Sequence, residues 1–245
     1  MHQRCLIPPE SIPPRARYEK LFENLPEIPS QYPGRGRPPV PRQALLQGLI
    51  YRNLRGLHKL VELEFELLNN PSIAEPLGLD PLKRLPSDER FSQFLRSNPN
   101  GYFQSIREAL VQELINEGVI SGQGVGLDSC PIEAYVKENN LKTSVKDRYE
   151  KHRLLPGDKG ARLGVSIHFP SPFKKKIHYF WGYRNHIITD LHSELPIVEI
   201  TLQANKDEKK VALPMLNRLH QELSLPIEVV AGDANYDVEA ILRYV

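Results

Sequence analysis

From Arg42 to Gly118 apolar residues recur at three- and four-residue spacing in successive runs. The run "RQALLQGLIYRNL" sets Leu45, Leu46, Leu49, Ile50 and Leu54 on one helical face, and Gly56 stops it. In "LHKLVELEFELLNN" the spacing returns with Leu60, Leu63, Leu67 and Leu68. "PSDERFSQFLRSNP" places Phe91, Phe94 and Leu95 behind Ser87, a predicted N-cap. "YFQSIREALVQELINEGV" carries Phe103, Ile106, Leu110 and Leu114 and ends on Gly118, suited to a C-cap. Residues 42–118 are therefore expected to form a compact all-helical unit of four or five helices.

After Gly118 the period changes. "GVGLDSC" is a short, glycine-flanked apolar run, and "RLGVSIHF", "KIHYFWGYRNHIITDL" and "LPIVEITLQA" are rich in the β-branched and aromatic residues of strands. "DEKKVALPMLNRLHQEL" returns to helical spacing through Val211, Leu216, Leu219 and Leu223, with Pro214 near its first turn. "PIEVVAGD" again reads as a buried strand. Strands, a crossover helix and a further strand describe an α/β domain with a mixed sheet over residues 123–245, bounded from the helical unit between 118 and 123. Ahead of both, residues 1–41 hold ten of the chain's 22 prolines. Proline fixes φ and pushes the preceding residue out of the helical region, so an extended arm is expected. Its Arg35, Arg37 and Arg42 are placed either to touch phosphates or simply to tether the arm.

Composition narrows the function classes. With 245 residues, 40% of them hydrophobic, the chain can build a sizeable core. The formal net charge of +2 does not by itself announce a nucleic-acid partner. Cys5 and Cys130 have no partner at metal-ligand spacing, which excludes a disulfide framework and a zinc site and fits a reducing, cytoplasmic setting. No apolar run approaches the roughly 18 residues of a membrane span, and the proline-broken N-terminus is not a secretory signal, so no membrane partner is expected.

Two strands, in "VGLDSCPIEA" and "IEVVAGDANYD", each end in an aspartate, Asp128 and Asp233. Carboxylates on neighbouring strands repel unless a cation lies between them. Magnesium commonly takes one or two protein carboxylates with substrate phosphates, and two such ions about 4 Å apart clamp a phosphodiester. Each aspartate would equally serve to cap the turn after its strand. Charge distribution favours the first reading: residues 137–176 hold eleven Lys or Arg against four Asp or Glu. "KKKIHYFWGYRNH" then interleaves Lys174, Lys175, Lys176 and Arg184 with Tyr179, Phe180, Trp181 and Tyr183, a pattern suited to phosphate contact and base stacking. It also fits a solvated basic face with Trp181 in the core. Metal-assisted phosphodiester chemistry on nucleic acid is the leading expectation.

"GLDSCPIEA", "FWGYRNHIITD" and "VVAGDANYD" resemble, in order and spacing, three motifs of bacterial insertion-sequence transposases of the DDE type. The stretch from "GRGRPPVPRQALL" to "LPSDERFSQFLR" resembles the helical domain that precedes the catalytic domain in one branch of that family. The resemblance implies a ribonuclease-H-like catalytic domain, metal-dependent cleavage and strand transfer at insertion-sequence ends, Mg2+ or Mn2+ as cofactor, double-stranded DNA as partner and a homodimer assembled on it. It makes Asp128 and Asp233 catalytic metal ligands, and matches Arg184 and His186 to a basic strand of the family that serves DNA or structural contact rather than chemistry. Lys174, Lys175 and Lys176 are expected to contact DNA on the strength of the basic run itself. The family's third acid is a glutamate on a helix well beyond the second aspartate. Asp237 and Glu239 follow Asp233 too closely to match it, so a chain incomplete at its C-terminus is expected. The alternatives are a DNA-binding remnant or regulator without activity, and a ribonuclease-H-like nuclease without strand transfer.

Overall fold

A computed structural model of the chain describes residues 14–23, 25–28, 34, 39–171, 173–233 and 236. Asp237, Glu239, Arg35 and Arg37 lie outside the described residues. The chain forms two compact units, residues 1–110 and 111–245.

The first unit is helical: α1 (Pro14–Glu23), α2 (Arg42–Leu54), α3 (Leu60–Asn69), the single turn α4 (Pro71–Ala74), α5 (Asp88–Ser97) and the start of α6 (Asn100–Asn116). Leu45, Leu46 and Leu49 of α2, Leu63 and Leu67 of α3, and Phe91 and Phe94 of α5 share one core. Leu54 and Leu68, expected on those buried faces, are instead exposed. The reading of residues 1–41 as wholly extended is corrected by α1. Proline is tolerated in a first turn because its missing N–H would be unpaired there anyway, and Pro14 opens this helix. Phe22 and Ile28 then anchor the segment in the helical core. Arg42 is also used internally, with its guanidinium 5.0 Å from the Tyr102 ring centroid and bonded to Asn98.

The second unit begins inside α6 rather than after Gly118, because Val111, Leu114 and Ile115 pack into the core of the sheet. Its strands are β1 (Gly124–Glu133), β2 (Arg162–Ser171), β3 (Lys174–Asp190), β4 (Pro196–Gln203) and β5 (Val229–Gly232). The long β3 is the organiser. Its second half pairs antiparallel with β1 and with β4, and its first half pairs with β2. On the far side of β1, β5 adds in parallel. Helix α8 (Glu208–Gln221) carries the chain from β4 to β5, and its Val211, Ala212, Met215, Leu216 and Leu219 cover Val125, Leu127 and Ile188 on one sheet face. Pro214 lies within α8, past its first turn. This antiparallel meander extended by a parallel strand through a crossover helix is the mixed α/β architecture expected from the sequence.

Between β1 and β2, residues 134–161 cross the opposite face and carry the short helix α7 (Val145–Tyr149). Leu155 and Ala161 bury Trp181 there, and the Tyr183 hydroxyl donates to Asp158 Oδ1 at 2.7 Å. Burial and that carboxylate push the Tyr183 hydroxyl up to about 12. Gly182 marks where β1 leaves the ladder: a Cβ there would collide with the Ile132 carbonyl and lie 2.9 Å from the Ala134 nitrogen.

Candidate functional site

The parallel ladder of β1 and β5 pairs Gly124 with Val229, Val125 with Val230, Gly126 with Ala231 and Leu127 with Gly232. Asp128 follows Leu127 in the middle of β1, which runs on to Glu133, so the expectation that its strand ends there is corrected. Asp233 follows Gly232, the last residue of β5. The two aspartates sit side by side just past the last pair of the parallel ladder, on strands that run about 4.8 Å apart in any sheet. Val125 and Leu127 point into the core beneath α8, so strand alternation turns Asp128 to the other face, where it is exposed. Asp233 is exposed as well. The Ser129 N–H donates to Asp128 Oδ1 at 2.7 Å, and the Asp233 carbonyl accepts from the Tyr236 N–H at 2.9 Å.

On the other edge of β1, Asp128 lies opposite Ile187, which lies opposite Glu199 of β4. Glu199, passed over in the sequence reading, shares the face of Asp128 two strands away and accepts from Asn185 Nδ2 at 3.5 Å. Alternation in "PIVEITLQ" was the signal for it. Ile187 separates it from the aspartate pair, and among the described residues no three His, Cys, Asp or Glu gather closely enough to hold a metal ion. Two oxygen donors with no nitrogen or sulfur between them suit a hard divalent cation, which completes its shell with water and phosphate oxygens.

The remaining predicted contacts divide. Lys174, Lys175 and Lys176 are exposed in the first half of β3 and have no ion-pair partner among the described residues. His186 is only 2% exposed, and neither ring nitrogen finds a hydrogen-bond partner among them. Burial, reinforced by Arg184, lowers its pKa and keeps the ring neutral. Arg184 itself donates to Ser129 Oγ at 3.2 Å and to the Val165 carbonyl at 2.6 Å, tying β1, β2 and β3 together. His186 and Arg184 thus make structural contacts within the sheet. Base stacking by Trp181 is excluded, since the ring is buried and its Nε1 donates to the Arg148 carbonyl at 2.7 Å. Part of the basic excess is likewise internal. Arg153 pairs with the buried Glu138 at 3.3 Å and with Asp147.

At the far end of the β1 ladder Asp190 faces Val125 and is fully buried. Its carboxylate accepts from the Gly122 N–H at 2.9 Å, the Ser121 hydroxyl at 3.2 Å, and the N–H and hydroxyl of Ser193, both at 2.8 Å. Burial alone would raise its pKa, but these donors together hold it below the usual carboxylate range. The knot fixes where β1 starts, and therefore where Asp128 ends up.

Comparison with known families adds two matches. Residues 2–97 match the family described as "Transposase domain (DUF772)", and residues 156–245 match the "Transposase DDE domain" family. The second match contains Asp233, Lys174 to Lys176, Arg184 and His186 but begins after Asp128. No curated protein and no solved structure gave a match. Among the described residues, no helix is long and apolar enough to cross a membrane.

Proposed function

Since the chain belongs to the DDE transposases of insertion sequences, we propose that Asp128 and Asp233 are two carboxylate ligands of a divalent-metal site that cleaves and rejoins DNA phosphodiesters at transposon ends. DNA transposition follows from the family, as does dependence on a divalent cation in general. The parallel ladder that ends in both aspartates is the observation that supports the finer reading. Mg2+ or Mn2+ fits the all-oxygen donor pair, and when bound it supplies Lewis-acid polarisation of a phosphoryl oxygen and a more acidic water or hydroxyl as nucleophile. Asp128, held within β1, and Asp233, at the end of β5, hold and orient that ion from rigid backbone. Lys174, Lys175 and Lys176 neutralise duplex phosphates without reading sequence. Two copies of the chain act together, one at each transposon end.

A second reading, a chain that occupies transposon ends without cutting them, is favoured by one observation: the described residues offer this pair of carboxylates and no third beside it. Nicking of a transposon-end duplex separates the two. The catalytic reading expects cleavage that requires Mg2+ or Mn2+ and disappears in both Asp128→Asn and Asp233→Asn. Tight, specific end binding with no nicking under either cation establishes the second reading.

A further inference from the structure

The first half of β3 and all of β2 form a two-stranded ribbon whose two faces differ in chemistry. Register pairs Leu163 with Trp181, Val165 with Tyr179 and Ile167 with Ile177, so these residues share a face; Phe169 follows at a one-residue shift of register between His168 and Ser171. Trp181 at the base is buried, but Val165, Ile167, Phe169, Ile177 and Tyr179 are exposed, and Phe173 at the tip is 100% exposed. The opposite face carries Ser166, His168, Lys174, Lys176 and His178. A lone two-stranded ribbon is marginal in water, and a bare apolar face of this size marks a contact site.

The composition of that face identifies its occupant. Phosphates do not bind aliphatic side chains, and the cross-strand pair Ile167–Ile177 and the neighbouring Val165 offer no ring for a base to stack on. Dry packing against protein is what β-branched pairs provide. An aromatic side chain buries about 150–250 Å², so the six exposed residues present roughly 600 Å². Two such faces together bury about 1,200 Å², the lower end of a stable interface. The face also ends in a receptor for its own tip. A cleft of about 210 Å³ at the ribbon base is lined by Leu141, Tyr149, Ile177, Tyr179 and Trp181, together with the polar side chains of Glu133, Glu138, Asn139, Arg148 and His178. An engineered cavity of about 150 Å³ already holds a benzene ring.

We propose that two copies of this chain pack their β2–β3 ribbons face to face and antiparallel, each Phe173 entering the cleft beside Tyr149 and Trp181 of the other. A two-fold axis near Ile167 and Ile177 makes the contact self-complementary, because each tip then lies over the other's base. The basic faces, with Lys174 and Lys176, remain outward on both sides of the pair. The contact builds on the functional reading only in its pairing of copies and needs neither DNA nor metal.

The test is sedimentation of the full chain, without DNA or divalent cation, over a wide concentration range. The expected species has twice the 28.0 kDa chain mass. Phe173→Ala, at a wholly exposed position that cannot disturb folding, is expected to weaken the pair about tenfold or more, as loss of an anchoring ring does. Ile177→Asp is expected to leave only monomer with an unchanged circular dichroism spectrum. With Cys5 and Cys130 replaced by serine, Phe173→Cys combined with Tyr149→Cys is expected to give a disulfide between chains. Asp128→Asn should pair like the parent, which separates this contact from the metal site. A chain that is monomeric throughout overturns the proposal, as does a dimer indifferent to both ribbon substitutions. A disulfide closing within one chain, or a monomer whose ribbon face is already shielded, shows that the chain's own residues cover it and overturns it equally.

Discussion

Leu127 faces Gly232 as the last pair of the ladder between β1 and β5, and each is followed by an aspartate. Buried apolar residues before Asp128, the pairing of β1 with β3 before and after it, and a parallel neighbour before Asp233 leave the two backbones little freedom at these positions. Such rigidity is what a metal site requires, since ligands on strands are held more firmly than ligands on loops.

Asp128→Asn is expected to raise the melting temperature slightly in the absence of divalent cation, by removing repulsion with Asp233. Added Mn2+ should stabilise the parent by mass action and leave the variant unmoved. Thermal melts with and without Mn2+ check both. Equal stabilisation of the two chains would remove Asp128 from the site.

Asp190→Ala should destabilise the sheet unit by about 2–4 kcal/mol, because the Gly122 and Ser193 N–H groups lose their acceptor inside the fold. A pH dependence follows from the lowered pKa of Asp190. On acidification the unfolded chain takes up its proton first, near pH 4, so the stabilisation is complete above that value and is lost as pH falls through the lower folded pKa. Denaturant unfolding of parent and Asp190→Asn against pH reads this out, and the parent alone should lose the increment in that window.

Replacing Lys174, Lys175 and Lys176 together with alanine should weaken DNA binding alike for all sequences. The slope of log affinity against log salt should shrink by about 2 to 3. Replacing His186 or Arg184 should act through folding stability rather than through that slope, because the structure draws both into the sheet. A salt slope that changes with His186→Ala in a folded protein would contradict this division.

Gly182→Ala should cost about 1–3 kcal/mol through overpacking, since β1 passes too close to admit a methyl group. Chemical denaturation measures it, and an unperturbed midpoint would show that β1 gives way there.

Much of this was legible in the residues. Periodic leucines announced α2 and α3, and short apolar runs announced β1 and β5, because a local period leaves its mark on sequence, although β1 runs on past Asp128 to Glu133 instead of ending there. Pairing leaves none. That β1 and β5 are parallel neighbours, or that β3 spans 17 residues and sends its first half out as a ribbon, depends on contacts between distant segments. The dense prolines of residues 1–41 hid α1, since proline in a first turn looks the same as proline in a coil. His186 and Trp181 misled for a different reason. A polar or aromatic residue beside lysines resembles a surface contact until β4, α8 and residues 134–161 are known to cover it.

Iron-directed backbone cleavage tests most directly whether Asp128 and Asp233 hold one divalent cation. Fe2+ bound in place of Mg2+ or Mn2+, with ascorbate and peroxide, cuts the chain beside its own ligands. The expected result is cleavage at two places far apart in sequence, near residue 128 and near residue 233, suppressed by excess Mg2+ and lost at both places together in either Asp128→Asn or Asp233→Asn. Cleavage elsewhere, or cleavage near one aspartate that survives substitution of the other, would contradict a shared site.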